Sequence, residues 1–110
     1  MDPTEDEIFA FLRRARDAVA SGTVEVTLKA DDELVELGWT REDLFLQLGE
    51  LSVADFLRAE TSAYDDSVRV WVFCPGHWDD SWLWLRLFER GRAAVVAISI
   101  HQARGNPWTA

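Results

Sequence analysis

His101 is the side chain best suited by type and position to move a proton. It ends the apolar run Ala94-Val95-Val96-Ala97-Ile98-Ser99-Ile100, and an imidazole changes charge near neutral pH. Two readings are open for it: a general acid or base beside Arg86, or a half-exposed histidine idle at a strand end. Arg86 lies in Trp82-Leu83-Trp84-Leu85-Arg86-Leu87-Phe88, where strand alternation puts it on one side with Trp82, Trp84 and Phe88. Its guanidinium either stacks on indole, worth about 0.5–2 kcal/mol, or clamps a phosphate with its planar fork. The tryptophans Trp78, Trp82 and Trp84 have three uses: core, a protein-binding patch, or platforms that stack unpaired bases at roughly 1–3 kcal/mol each. His77, in Pro75-Gly76-His77-Trp78, is either a turn residue or a fourth site group.

Other reactive types are less promising. Cys74 has no base beside it in sequence and reads as a small buried hydrophobe. No Cys/His cluster has zinc-site spacing. The acidic pairs Asp31-Asp32, Asp65-Asp66 and Asp79-Asp80 read as caps and solvated loops, and no cofactor is expected. Arg13, Arg14 and Arg16 read as a solvated helix face.

The elements that must carry these groups follow from periodicity. Leu83, Leu85 and Leu87 alternate with the aromatic and basic residues, and a second apolar run reaches His101. The polar Glu89-Arg90-Gly91-Arg92 between them can turn the chain. This predicts a long antiparallel hairpin over 82–101 at the centre of a sheet. Ahead of it, Val68, Val70 and Val72 alternate with Arg69, Trp71 and Phe73 in a strand that Pro75 ends. Thr61 to Ser67 lacks a period and reads as a loop. Near the start, Thr4-Glu5-Asp6-Glu7 fits a capping box, and Ile8, Phe9, Leu12, Ala15 and Val19 form the inward stripe of a helix closed by Ser21-Gly22. Thr23 to Lys29 reads as a short edge strand, and 31–38 as a short helix ended by Gly38. Thr40-Arg41-Glu42-Asp43 caps a further helix with Leu44, Phe45 and Leu48 inward. Ser52-Val53-Ala54-Asp55 caps a last turn that carries Phe56 and Leu57.

The expected fold is α+β: one domain over 1–110, with a helix in 1–22, a short strand and helices in 23–67, a sheet in 68–101 and a tail in 102–110. The N-terminal helix and the short helices pack on an antiparallel sheet of three or four strands. The net charge is −9, split as 17 acidic and 6 basic residues before Val68 (−11) and 3 acidic and 5 basic from there on (+2). Bulk charge therefore argues against a polyanion binder, while the sheet half is mildly basic. The acidic start is unlike a signal peptide, and no apolar run approaches a membrane span. A cytoplasmic protein without membrane contact is expected.

Leu37-Gly38, then Leu51-Ser52-Val53-Ala54-Asp55-Phe56, a strand closing in Pro75, Trp84-Leu85-Arg86 and a last strand reaching Ser99-Ile100-His101 follow one another along most of the chain. This ordered set, from about Gly22 to His101, resembles the MqsR-type toxins of bacterial toxin–antitoxin systems, relatives in fold of the RelE-like mRNA interferases. The resemblance implies a small metal-independent endoribonuclease blocked by a cognate antitoxin, with single-stranded RNA as substrate. Position by position, the family's lysine falls on Arg58, its strand tyrosine on Trp84, the following basic residue on Arg86 and its C-terminal lysine near His101. Its strand glutamine falls at Arg69-Val70 and is not retained. With the residues read above, the expected site has Arg58, Arg86 and His101 as catalytic residues, with Arg69, Trp84, Trp82 and His77 on the substrate. The alternative is a non-enzymatic domain that keeps the fold and binds a protein through its Trp/Arg surface.

Overall fold

The computed structural model describes residues 2–78, 81–91 and 94–103, with the side chains of 77, 78, 81 and 103 outside that description. The chain begins with helix α1 (Glu5–Ser21), strand β1 (Val24–Val26), helix α2 (Leu28–Leu37) and helix α3 (Arg41–Glu50). A 3₁₀ turn (Val53–Asp55) leads into β2 (Phe56–Thr61), followed by β3 (Arg69–Trp78), β4 (Ser81–Arg90) and β5 (Ala94–Ala103). The five strands form one sheet in the order β1-β5-β4-β3-β2. The α+β class and the central β4–β5 hairpin stand as the alternation predicts.

The start signals behave as their chemistry requires. Thr4 accepts from the Glu7 backbone N–H while Glu7 reaches back to Thr4 N, and Thr40 with Asp43 does the same for α3. Each satisfies donors that helix geometry leaves orphaned, contributing about 1 kcal/mol. Gly22 and Gly38 end α1 and α2 at φ 70° and 74°, where a side chain would strain the backbone.

One face of the sheet carries the core. Trp71 and Phe73 of β3, Leu83, Leu85 and Leu87 of β4, and Val95, Ala97 and Ile100 of β5 pack with Ile8, Phe11, Leu12, Ala15 and Ala18 of α1. Leu34, Leu44, Leu48 and Leu51 complete it. Leu83, Leu85 and Leu87 share this face, as their spacing predicts. Ion pairing ties the layers together at the surface: Arg14 forks onto Glu89 of β4 at 2.6 and 2.9 Å. Arg16 donates to the carbonyls of Gly49 and Leu51 beyond α3. Arg14 and Arg16 thus anchor the helix from an exposed face.

Several expectations need correction. The sheet has five strands rather than three or four, and it is mixed, because β1 runs parallel to β5 in the register Val24↔Val95 and Val26↔Ala97. The short edge strand stands where the alternation of Val24 and Val26 predicts it, but its pairing with the far end of the chain leaves no local pattern. Thr27 caps α2, so Leu28 and Lys29 are helical rather than extended. Phe56 and Leu57 belong to β2, which pairs with β3 and ends the sheet among the described residues; its Arg58 and Glu60 suit an edge better than a buried strand. β3 does not end at Pro75 but continues to Trp78, with the pairing to β4 broken between Phe73 and Gly76 so that the proline needs no partner there. In α1 the inward stripe is rotated. Phe9 is 53% exposed and Phe11 is fully buried, because Phe11 stacks flat on Trp71 with centroids 4.4 Å apart. The expected tail starts late, since Gln102 and Ala103 still belong to β5; Asp79, Asp80, Arg92 and 104–110 lie outside the described residues.

Candidate active site on the open face of the sheet

Alternation puts the remaining strand residues on the face turned away from the helices. Register places them in rows. Glu60 pairs with Val70 and Phe88 with Val96, and Arg58, Val72, Arg86 and Ser99 form one continuous row. Trp84 stands directly opposite His101. Val72, Cys74, Val96 and Ser99 are buried. Burial pushes the Cys74 thiol up, although a Gly76 backbone hydrogen bond works against it. The thiol is therefore protonated and inert at neutral pH.

Trp84 is the centre of the cluster. The His101 ring lies parallel to its indole, with centroids 6.2 Å apart and an interplanar angle of 8°. The guanidinium of Arg58 sits 5.4 Å from the ring centroid and that of Arg86 5.9 Å. Arg58, Arg86, Trp84 and His101 come from three strands and converge on one indole. Within this group Trp84 Nε1 and Ser99 Oγ are buried without a hydrogen-bond partner among the described residues. A buried polar group left without a protein or water partner costs about 1–3 kcal/mol.

Both arginines share one carboxylate. Glu60 accepts from Arg58 Nε at 2.9 Å and from Arg86 Nε at 3.2 Å. Burial alone would raise the Glu60 pKa, but the two guanidiniums outweigh it and hold the carboxyl below its usual range. The triad carries a net charge of +1, and the Arg86 bond to Glu60 uses Nε, leaving the two terminal nitrogens of its fork for another anion.

His101 is held neutral. Burial lowers its pKa first and the Arg86 charge lowers it further, with Lys29 adding to them and Glu33 opposing. At neutral pH a ring nitrogen is therefore ready to accept a proton. Glu33, at the sheet edge, was not singled out by sequence pattern. Its Oε1 accepts the Ile100 N–H at 3.2 Å, and its Oε2 lies 3.8 Å from His101 Nδ1.

The other expected site residues fall differently. Arg69 does not join the cluster. Alternation puts it with Trp71 on the helix side, where its guanidinium lies over that indole at 5.5 Å and 3.5 Å from Glu7. Trp82 extends the Trp84 face by one row, between His77 and Ala103 in register. The side chain of His77 lies outside the described residues. Of the acidic pairs, Asp31 is engaged by Arg41 and Asp65 by Ser67. Among the described residues no three His, Cys, Asp or Glu side chains gather as metal ligands would, and no helix is long and apolar enough to cross a membrane. No model of a known protein family matches the sequence, and no curated protein matches it either.

Proposed function

We propose that the open sheet face is the site of a toxin-type endoribonuclease that cuts single-stranded RNA in the cytoplasm without a metal. The observation that carries this reading is the convergence of Arg58, Arg86 and His101 on Trp84. These are four of the five positions onto which the MqsR-type residues fall, and they come from three strands, with Arg58 and His101 distant in sequence from the Trp84-Arg86 pair. In this reading an unpaired base stacks on the aromatic surface beside Trp84. His101 removes the 2′-hydroxyl proton, and the freed oxygen attacks the adjacent phosphorus. Arg58 and Arg86 stabilise the negative charge that grows on the phosphorane oxygens. The P–O5′ bond then breaks, and the imidazolium returns its proton to the leaving 5′ oxygen. The products are a 2′,3′-cyclic phosphate and a 5′-hydroxyl end.

A specific observation favours a second reading. Glu60 already neutralises one of the two arginine charges, and the chain carries −9 overall. A non-enzymatic domain that uses the same Trp/Arg face to bind a protein would need no surplus of positive charge. The cognate antitoxin is the partner expected under the first reading, and it would cover this face.

Expression of the chain alone in bacteria tests the nuclease reading, with growth and RNA integrity followed beside His101→Ala and Arg86→Ala. Growth arrest with RNA cleavage, both lost in the variants, is the expected result. Harmless expression with intact RNA would overturn it. Titration of single-stranded RNA against tryptophan fluorescence separates the two readings: phosphate contacts weaken steeply with salt, and an apolar protein interface does not.

A further inference from the structure

We infer that Glu33 is a positioning residue for His101, fixing the imidazole so that Nδ1 carries the proton and Nε2 is left as the base. This rests on the reading of His101 as the proton-transfer group. The geometry is asymmetric in a useful way. One Glu33 oxygen is committed to the backbone, accepting the Ile100 N–H at 3.2 Å, and the other stands 3.8 Å from His101 Nδ1. The first contact orients the second. Beyond Val26, β1 no longer covers the edge of β5. The groups of α2 take over: the Thr27 N–H bonds the Ala97 carbonyl, the Thr27 hydroxyl bonds that of Ile98, and the Glu33 carboxylate takes Ile100. Glu33 is thus fixed to the residue preceding His101, and its side chain is only 16% exposed.

From the other side, Trp84 stacks on the imidazole and sets its plane. The charged groups facing the ring are Glu33 and Lys29 from α2 and Arg86 from β4. Among them Glu33 alone can accept a proton-bearing nitrogen, and it lies on the Nδ1 side. The 3.8 Å separation is longer than a hydrogen bond. Catalytic contacts often shorten only when substrate closes the site, and a base oriented by a third group is the general arrangement in proton-transfer sites.

The test is nitrogen NMR of the full chain labelled at histidine, with the two histidines assigned through His77→Gln. In the wild type His101 should be the Nδ1–H tautomer. Glu33→Gln keeps an oxygen for Ile100 N–H but turns an amide donor toward Nδ1. The tautomer should switch to Nε2–H, the His101 titration midpoint should move to lower pH, and kcat on single-stranded RNA should fall by about tenfold or more with KM little changed. An Nε2–H tautomer in the wild type, or an unmoved midpoint in the variant, would overturn the inference, and the wild-type spectrum decides even if the variant does not fold. If RNA is not cut while His101 is Nδ1–H and responds to Glu33→Gln, the nuclease reading falls and the Glu33–His101 pairing stands.

Discussion

Trp84 and His101 face each other across β4 and β5 with rings 6.2 Å apart and nearly parallel, so in the nuclease reading the aromatic platform and the proposed base form one unit. A base that stacks against this unit brings its ribose close to the imidazole. Trp84→Ala should therefore weaken single-stranded RNA binding by roughly 1–3 kcal/mol, about 5- to 150-fold, the usual contribution of one stacked base. Trp84→Phe should keep most of the affinity, because it preserves a π face. It also removes the Nε1–H that is buried without a partner among the described residues. Fluorescence anisotropy of a labelled RNA measures both. Equal affinity in Trp84→Ala and the wild type would place the bound base elsewhere.

Glu60 sets how much positive charge the site offers. Its carboxylate is bonded to both arginines, so in the nuclease reading an incoming phosphate would share or displace it. The guanidiniums also lean on Trp84, which holds them in place when the carboxylate is lost. Competition should then outweigh positioning, and Glu60→Gln should bind RNA more tightly. The gain should be at most about fivefold, because partly exposed ion pairs contribute only about 0.2–1 kcal/mol. The dependence of affinity on salt should also steepen. Weaker binding in Glu60→Gln would mean that the arginines depend on Glu60 for their placement.

How much of this was legible in the sequence depended on the range of the interaction. Capping boxes, glycine stops and the alternation of β4 are local, and Thr4, Thr40, Gly38 and the Leu83-Leu85-Leu87 face could be read directly. Arg86, Trp84 and His101 could be brought together because one hairpin carries them. Arg58 came from the family resemblance alone, since β2 is an edge strand with weak alternation and reads as a turn. The pairing of β1 with β5 joins residues near opposite ends of the chain, which periodicity cannot register. Glu33 and Glu60 were missed for a related reason. Among many carboxylates in an acidic chain, only the fold selects the one at the β5 edge and the one between two guanidiniums. Arg69 entered the expected site with the sheet arginines, yet the alternation that pairs it with Trp71 and Phe73 already sets it on the helix side, where it lies over Trp71 and near Glu7.

The rotated stripe of α1 gives a direct stability test. Phe11 is fully buried between Trp71 and Phe73, with centroids at 4.4 and 6.0 Å, whereas Phe9 is 53% exposed. Phe11→Ala should cost about 3–5 kcal/mol, the range for an emptied aromatic core site. Phe9→Ala should stay within about 0.5 kcal/mol of the wild type. Midpoints of urea unfolding compare the two. A larger loss at Phe9 would restore the stripe first read from spacing.

Acid should destabilise the fold in two windows. Burial, then Arg86, with Lys29 adding and Glu33 opposing, holds His101 below its ordinary 6.5. The unfolded chain then binds this proton more readily than the folded one. The stability it contributes is complete above about pH 6.5 and lost as pH falls through the folded value. The carboxylates act lower. Glu60 is depressed by Arg58 and Arg86 against its own burial, Glu7 by Thr4, Asp31 by Arg41 and Asp65 by Ser67. Their contribution is present above the ordinary values of 4.5 for Glu and 3.8 for Asp, and is lost as pH falls through the folded ones. Melting temperature followed from pH 8 to pH 3 at constant ionic strength should therefore decline first below about 6.5 and again below about 4.5. His101→Gln should remove the first decline and leave the second. Glu60→Gln should soften only the second. A first decline that persists unchanged in His101→Gln would show that His101 is not the group that couples folding to pH in that window.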